Sequence, residues 1–366
     1  MTKAELDNRK ILPLEDSWYR RVKEKLDGIA KPLDGLGKFE HLIAQIGAIE
    51  KTTKISIQKK AVLVMCADNG VVEEQVSQSG KEVTLAVAKA MGVNNSSVGK
   101  MAAVAGVDVI PVDIGIDTDE VIPGVLPRKV AKGTKNFAKE PAMTEEEVLK
   151  AIETGIQLVQ QCHREGYEIL ATGEMGIGNT TTSTAVAAAL LDLEVEQVTG
   201  KGAGLTDEAL KRKCRVIEEA IEKYSLRDAD AFTILKTVGG LDIAGLTGVF
   251  IGAAIEQIPV VIDGVISAVA ALLAETLCKG AVNYMIPSHK SRELAETAIM
   301  KKLHLDPVLD ADMALGEGTG AVMMMSLLDV ALGVYLQGAS FANFEIEQYK
   351  LSLIHISEPT RHAQIS

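Results

Sequence analysis

Short apolar runs, each closed by a turn rich in Gly or Asp and followed by a helical segment, recur along this chain and fix its class. Ala61-Val62-Leu63-Val64-Met65-Cys66-Ala67 stops at Asp68-Asn69-Gly70, a strong turn signal. Val107 to Ile114 closes on Asp113 and Gly115. Tyr167 to Thr172 leads into Gly173-Glu174-Met175-Gly176-Ile177-Gly178-Asn179-Thr180-Thr181 and an Ala-rich helix to Leu191. Pro259 to Ile262 ends at Asp263-Gly264, and Tyr284 to Ile286 at Pro287-Ser288-His289-Lys290-Ser291. A further apolar stretch ends at Val238-Gly239-Gly240 before the helix from Ile243. Continuous apolar runs of this length fit strands buried on both faces. Alternation of strand, glycine loop and helix about six times implies an α/β fold with a Rossmann-like, parallel, doubly wound sheet. Ligands bind such sheets beyond the carboxyl ends of the strands. The loops at Asp68, Gly173, Gly239, Asp263 and Ser288 are therefore expected to crowd one rim.

Composition supports this class. Hydrophobic residues make up 47% of 366, aromatics only 4%, so Ala, Val, Ile, Leu and Gly carry the packing. A net charge of −12 without a basic run argues against nucleic acid or an anionic membrane surface as partner. The cysteines Cys66, Cys162, Cys214 and Cys278 are widely spaced and form no metal-ligand pattern, which fits a reducing cytoplasm. The polar N-terminus shows no signal-peptide core, and the apolar run Val265 to Leu277 is too short to span a bilayer.

Residues 1–50 read as charged helices, with Lys31-Pro32-Leu33-Asp34-Gly35-Leu36-Gly37-Lys38 as a turn between two of them. Phe39, Leu42, Ile43 and Ile46 form an amphipathic stripe after it. No strand precedes this part, so it is expected to pack as a helical cap. Residues 117–143, with three prolines and a basic patch at Arg128, Lys129, Lys132 and Lys135, read as an irregular surface excursion. Thr144-Glu145-Glu146-Glu147 is a capping box opening a helix with Val148, Ile152, Ile156 and Val159 inward. A later helix, Asp207 to Tyr224, is expected to turn Leu210, Cys214, Ile217 and Ile221 inward. Residues 351–366 break the pattern. They resemble the translation of a transposon-type sequencing adapter and are set apart as non-native.

Two carboxylates among glycines are the strongest chemical signal: Glu174 in the Gly173 loop, and Glu317 in Leu315-Gly316-Glu317-Gly318-Thr319-Gly320 at the mouth of an apolar helix. They suit proton removal, or stabilisation of positive charge developing at a sugar carbon. The ordinary alternative for Glu317 is a helix-entry acid favoured by the helix dipole. Gly176 to Thr181 offers backbone N–H groups and hydroxyls at a helix start, a seat for a phosphate monoester. Its plain alternative is a structural turn with Asn179 or Thr180 as N-cap. Lys213 is within reach of such an anion, although a solvated helix lysine is the default for that position. His289 fits a base or a hydrogen-bonded loop histidine. Asp263 and Asp68, at strand ends, fit loop ordering through accepted N–H bonds.

The motifs quoted, from Lys31-Pro32 through Leu315 to Gly320, run through most of residues 30–335 and resemble the nicotinate-nucleotide:dimethylbenzimidazole phosphoribosyltransferase family of cobamide assembly. Asn69, where that family often has His, and Gly80, which replaces a common Pro, depart from its pattern. The resemblance implies transfer of the 5-phosphoribosyl group from nicotinate mononucleotide to 5,6-dimethylbenzimidazole or a related base, with inversion at C1. It implies Glu317 as catalytic base and Glu174 beside the ribose. It implies a phosphoribosyl seat of Gly176, Gly178, Asn179, Thr180, Lys213 and Ser291, and base contacts from Ser79 and Leu315. It calls for no metal or cofactor, and implies a cytoplasmic homodimer. The domains expected are a helical part at 1–50, a large α/β domain at 51–335 and a C-terminal part of the small domain at 336–350. The rival functions are a nucleotide hydrolase that sends water to C1 and a non-catalytic nucleotide-binding regulator.

Overall fold

A computed structural model describes residues 1–347 other than Lys201 and Ala203. The set-apart tail, 351–366, lies outside the described residues, as do 348–350 of the expected C-terminal part. The chain forms two compact units. One comprises Met1–Leu14 with Ile55–Leu327; the other comprises Glu15–Lys54 with the described residues from Leu328 to Glu347.

The larger unit holds a six-stranded sheet. Its strands are β1 (Lys60–Ala67), β2 (Val107–Gly115), β3 (Leu126–Pro127), β4 (Ile169–Met175), β5 (Val260–Ile262) and β6 (Met285–Pro287). They lie in the order β3-β2-β1-β4-β5-β6, and every neighbouring pair is parallel. The order reverses between β1 and β4, and the ends of those strands open the crevice where such sheets take ligands. Every residue of β1 is buried, as its unbroken apolar run requires. β3 falls inside the stretch read as irregular; two residues are too few to carry a periodic signal. The apolar stretch before Gly239 is the helix Ala231–Val238. β4 runs on to Met175, so Glu174 is a strand residue rather than part of a loop.

The capping box at Thr144 forms as read, with Thr144 Oγ1 accepting the Glu147 N–H at 3.2 Å. Its helix, Glu145–Arg164, packs on Leu241–Glu256 backbone to backbone. A Cβ on Gly248 would lie 2.0 Å from the Ile152 carbonyl oxygen, so only glycine permits this approach. The three lysines of the basic patch are paired: Lys129 meets Asp113 at 3.1 Å, Lys132 meets Asp119 at 2.5 Å and Lys135 meets Glu140 at 2.8 Å. The helix Thr319–Gln337 is long and apolar enough to cross a membrane by length and composition, yet its residues Ala321, Val322, Met324 and Met325 are buried, as in a core helix.

In the smaller unit the helices Asp16–Asp27 and Lys38–Ile49 pair around Glu40, whose side chain is fully buried. Lys31 Nζ donates to it at 2.6 Å, Lys23 at 3.0 Å and the Leu36 N–H at 3.1 Å. Burial works against the Glu40 carboxylate. Its three donors prevail and hold the group below the usual glutamate range. The Lys31 to Lys38 turn thus supplies two of the partners of one buried charge. Ala30 N–H donates to the Ala339 carbonyl at 2.8 Å, and Tyr335 Oη to the Thr53 carbonyl at 2.8 Å, tying the two chain segments of this unit together.

Candidate active site

A cavity of about 330 Å³ opens over the carboxyl ends of the strands. Of the site residues expected from sequence, Glu174, Gly176, Gly178, Asn179, Thr180, Ser291, Leu315 and Glu317 line it. Lys213 does not line it, but its ammonium donates to the hydroxyl of Thr180, which does. Ser79 does not line it; its neighbours Ser77 and Gln78 do, and Ser79 N–H turns to the Ser77 hydroxyl at 3.3 Å.

Glu317 sits in a run of three left-handed residues, Gly316 (φ 82°), Glu317 (φ 61°) and Gly318 (φ 92°), before the Thr319–Gln337 helix. A non-glycine residue in that region is uncommon and costs energy, so surrounding contacts must hold it. Asp263, at the end of β5, provides them: its carboxylate accepts the Gly318 N–H at 3.2 Å and the Ala321 N–H at 3.0 Å. This is the loop-ordering role expected of it. Gly173 provides another contact, since a Cβ there would lie 2.6 Å from the Glu317 carbonyl oxygen. The Glu317 carboxylate accepts the Val98 N–H at 3.0 Å, at the start of the helix Ser97–Ala105. His289 packs on Gly320 and shares a 3.0 Å hydrogen bond with the Ser288 hydroxyl. Burial pushes the Asp263 carboxyl up and the His289 imidazole down; each partner's charge resists the other's shift.

Glu174 is a strongly perturbed carboxyl of the cavity. Burial pushes it up to about 8, and the charges of Asp242, Asp263 and Glu317 add to that, while a hydrogen bond from Asn179 opposes. The Asn179 amide nitrogen donates both to Glu174 and, at 3.1 Å, to Asp242. Burial raises Asp242 as well, to about 6. Asp68 accepts the Asp117 N–H at 2.8 Å and so orders the chain that leaves β2.

The glycine loop after β4 is partly self-satisfied. Ile177 N–H donates to the Thr84 hydroxyl at 3.1 Å, Asn179 N–H to the Gly176 carbonyl at 3.1 Å and Thr181 N–H to the Gly178 carbonyl at 2.9 Å. An anion seat here must therefore draw on the alternating amides of Gly176, Gly178 and Thr180. Lys213 departs from the solvated-lysine reading. It is fully buried on the inner face of the Asp207–Lys223 helix, beside Ala209, Val216 and Ile217, whereas Leu210 and Cys214 are only half-buried. Its ammonium donates to the Thr180 hydroxyl at 3.0 Å and to the Gly200 carbonyl at 3.2 Å. Burial pushes Lys213 down to about 8, while the Glu293 carboxylate pulls it back. The Ser291 N–H is taken by the buried Glu296 carboxylate at 2.5 Å.

Sequence reading missed Asp242, Glu293 and Glu296. Asp242 follows Gly239-Gly240 and looks like an ordinary first-turn helix acid, and nothing in the sequence distinguishes Glu293 and Glu296 from surface acids.

A family model described as "Phosphoribosyltransferase" matches residues 11–346. A nicotinate-nucleotide–dimethylbenzimidazole phosphoribosyltransferase from Acetivibrio thermocellus is 45% identical over 90% of this chain and 94% of its own length. One of the same name from Clostridium acetobutylicum is 43% identical over 92% of this chain and 96% of its own. The solved structure of CobT from Thermus thermophilus superposes with a TM-score of 0.86 at 34% identity, over 91% of this chain and 100% of that one.

Proposed function

We propose that this chain, which belongs to the phosphoribosyltransferase family, transfers the 5-phosphoribosyl group of nicotinate mononucleotide to 5,6-dimethylbenzimidazole or a related base. The products are α-ribazole 5′-phosphate, the activated lower-ligand nucleotide of a cobamide, and nicotinate. The observation that carries this reading is one cavity bounded by two carboxylates, Glu174 and Glu317, with a buried helix lysine, Lys213, bonded to Thr180 in its wall.

The chemistry needs little else. The donor ring is a pyridinium, so the C1–N bond breaks with its electron pair returning to the ring nitrogen and no acid is required. The unprotonated ring nitrogen of the acceptor attacks C1 from the opposite face, which inverts that carbon. The proton on its other ring nitrogen then leaves to Glu317, acting as general base. Glu174 faces the ribose and stabilises positive charge developing at C1. Lys213 holds the phosphate together with the Thr180 hydroxyl and the amides of Gly176 and Gly178, at the start of the Asn179–Leu191 helix. Asn179 anchors that loop, and Ser291 closes the phosphate side. Leu315, Ser77 and Gln78 border the acceptor. The enzyme acts as a cytoplasmic homodimer.

The test is incubation with nicotinate mononucleotide and a panel of benzimidazole, purine and phenolic acceptors, with mass detection of products. Nicotinate released with an equimolar base riboside phosphate supports the reading. Ribose 5-phosphate released without acceptor would make the protein a hydrolase, and no turnover with any base would leave it a binding protein.

A further inference from the structure

We infer that Asp242 is a positioning residue for Glu174, acting through the side-chain amide of Asn179; this rests on the proposed role of Glu174 at the ribose. Asp242 is the second residue of the Leu241–Glu256 helix, where an acid usually faces solvent and interacts with the helix dipole. Here it is fully buried. The backbone makes room for it: a Cβ on Gly240 would lie 2.4 Å from its Oδ1, and one on Gly176 would lie 2.8 Å from its Oδ2. Its own helix fixes Oδ1 through the Ile243 N–H at 3.0 Å.

Oδ2 takes one hydrogen of the Asn179 amide at 3.1 Å, and Glu174 Oε2 takes the other. An amide nitrogen carries two hydrogens and its oxygen none. Two acidic acceptors on one side therefore fix which way the Asn179 amide points. Asp242 thereby sets the amide, and the amide sets the Glu174 carboxylate, leaving Glu174 Oε1 toward Gly316 and the cavity. Helix capping alone would require neither the burial nor the shared amide.

The charges facing this group are nearly all of one sign. Asp263 from the β5 end and Glu317 from its loop face Glu174. Cys66 reaches both carboxylates from β1, Asp68 stands behind Asp242 and His289 beyond Asp263. Ionised Asp242 therefore tightens the hold of Glu174 on its proton, and the pyridinium of a donor bound with its C1 beside Glu174 opposes that hold.

The experiment combines Asp242→Asn with Glu174→Gln in a double-mutant cycle, reading kcat, KM for nicotinate mononucleotide and the pH dependence of kcat/KM. Asp242→Asn should lower kcat about 10-fold with KM within about 3-fold, and move the ascending limb of the profile about half a unit to one unit lower. In the Glu174→Gln background it should change kcat less than about 2-fold. A folded Asp242→Asn enzyme with parental kcat and an unmoved limb overturns the inference. So does an equal kcat loss in both backgrounds, the mark of a merely structural role. Should Asp242→Asn fail to fold, Asn179→Ala breaks the same link, and parental kcat there is equally decisive against it. If Glu174→Gln alone is fully active, the reading of Glu174 itself has failed, which is a distinguishable result.

Discussion

The carboxylate of Asp263 accepts the backbone N–H of Gly318 at 3.2 Å, joining the end of β5 to the loop that presents Glu317. With the bond to Ala321 at 3.0 Å it spans the turn into the Thr319–Gln337 helix, so one buried side chain sets the orientation of the proposed base. Asp263→Ala leaves those amides without their acceptor. The expected result is a kcat loss of at least about 10-fold together with about 1–3 kcal/mol of lost stability. Steady-state kinetics beside a denaturant melt checks it; an unchanged kcat would mean that the loop holds itself.

Glu317→Gln keeps shape and most hydrogen bonding and removes the proton acceptor. Turnover with a benzimidazole should fall ~10²–10⁴-fold, about 3–5 kcal/mol of barrier. Binding of nicotinate mononucleotide, followed by calorimetry, should persist because the phosphate contacts lie on the Gly176 side. Turnover within a few-fold of the parent would move the search for the base to Glu174.

Lys213→Ala should raise KM for nicotinate mononucleotide far more than KM for the acceptor. Because burial pushes Lys213 down to about 8, its ammonium is lost as pH rises through that value, and donor affinity should weaken there. In Lys213→Ala this alkaline loss should vanish. A variant that keeps the same alkaline limb would assign it to another group.

The unliganded protein should lose stability as pH rises from about 5 to about 8. Burial raises Glu174 and Glu296 to about 8 and Asp242 to about 6. Between the ordinary carboxyl values and these raised ones, the folded chain keeps protons that the unfolded chain has released. The stabilisation is complete below the unfolded values and disappears as pH passes the folded ones. Thermal melts across this range should decline, and Glu174→Gln should flatten the decline. A melting temperature that rises from pH 5 to 8 would contradict the burial of these groups.

The sequence by itself determined the sheet and the addresses of its loops. Unbroken apolar runs such as Ala61 to Ala67 can be hidden only between two helical layers, and the turns at Asp68, Asp263 and Ser288 had to end them at one rim. Glu317 was legible because a carboxylate flanked by glycines has few ordinary uses. The tertiary structure alone decided what depends on meetings across the chain. Helical spacing alone predicts Leu210 and Cys214 inward and Lys213 in solvent, whereas the first two are half-buried. Folding buries Lys213 because the Thr180 hydroxyl and Gly200 carbonyl, distant in sequence, give its ammonium partners. Glu174 became a strand residue once β4 paired with β1 as far as Met175. Asp242 resembles any first-turn acid until Gly176, Gly240 and Asn179 close around it. Hydrophobic periodicity is a local property of a chain. The partner of a buried charge is not, and the site is built from buried charges.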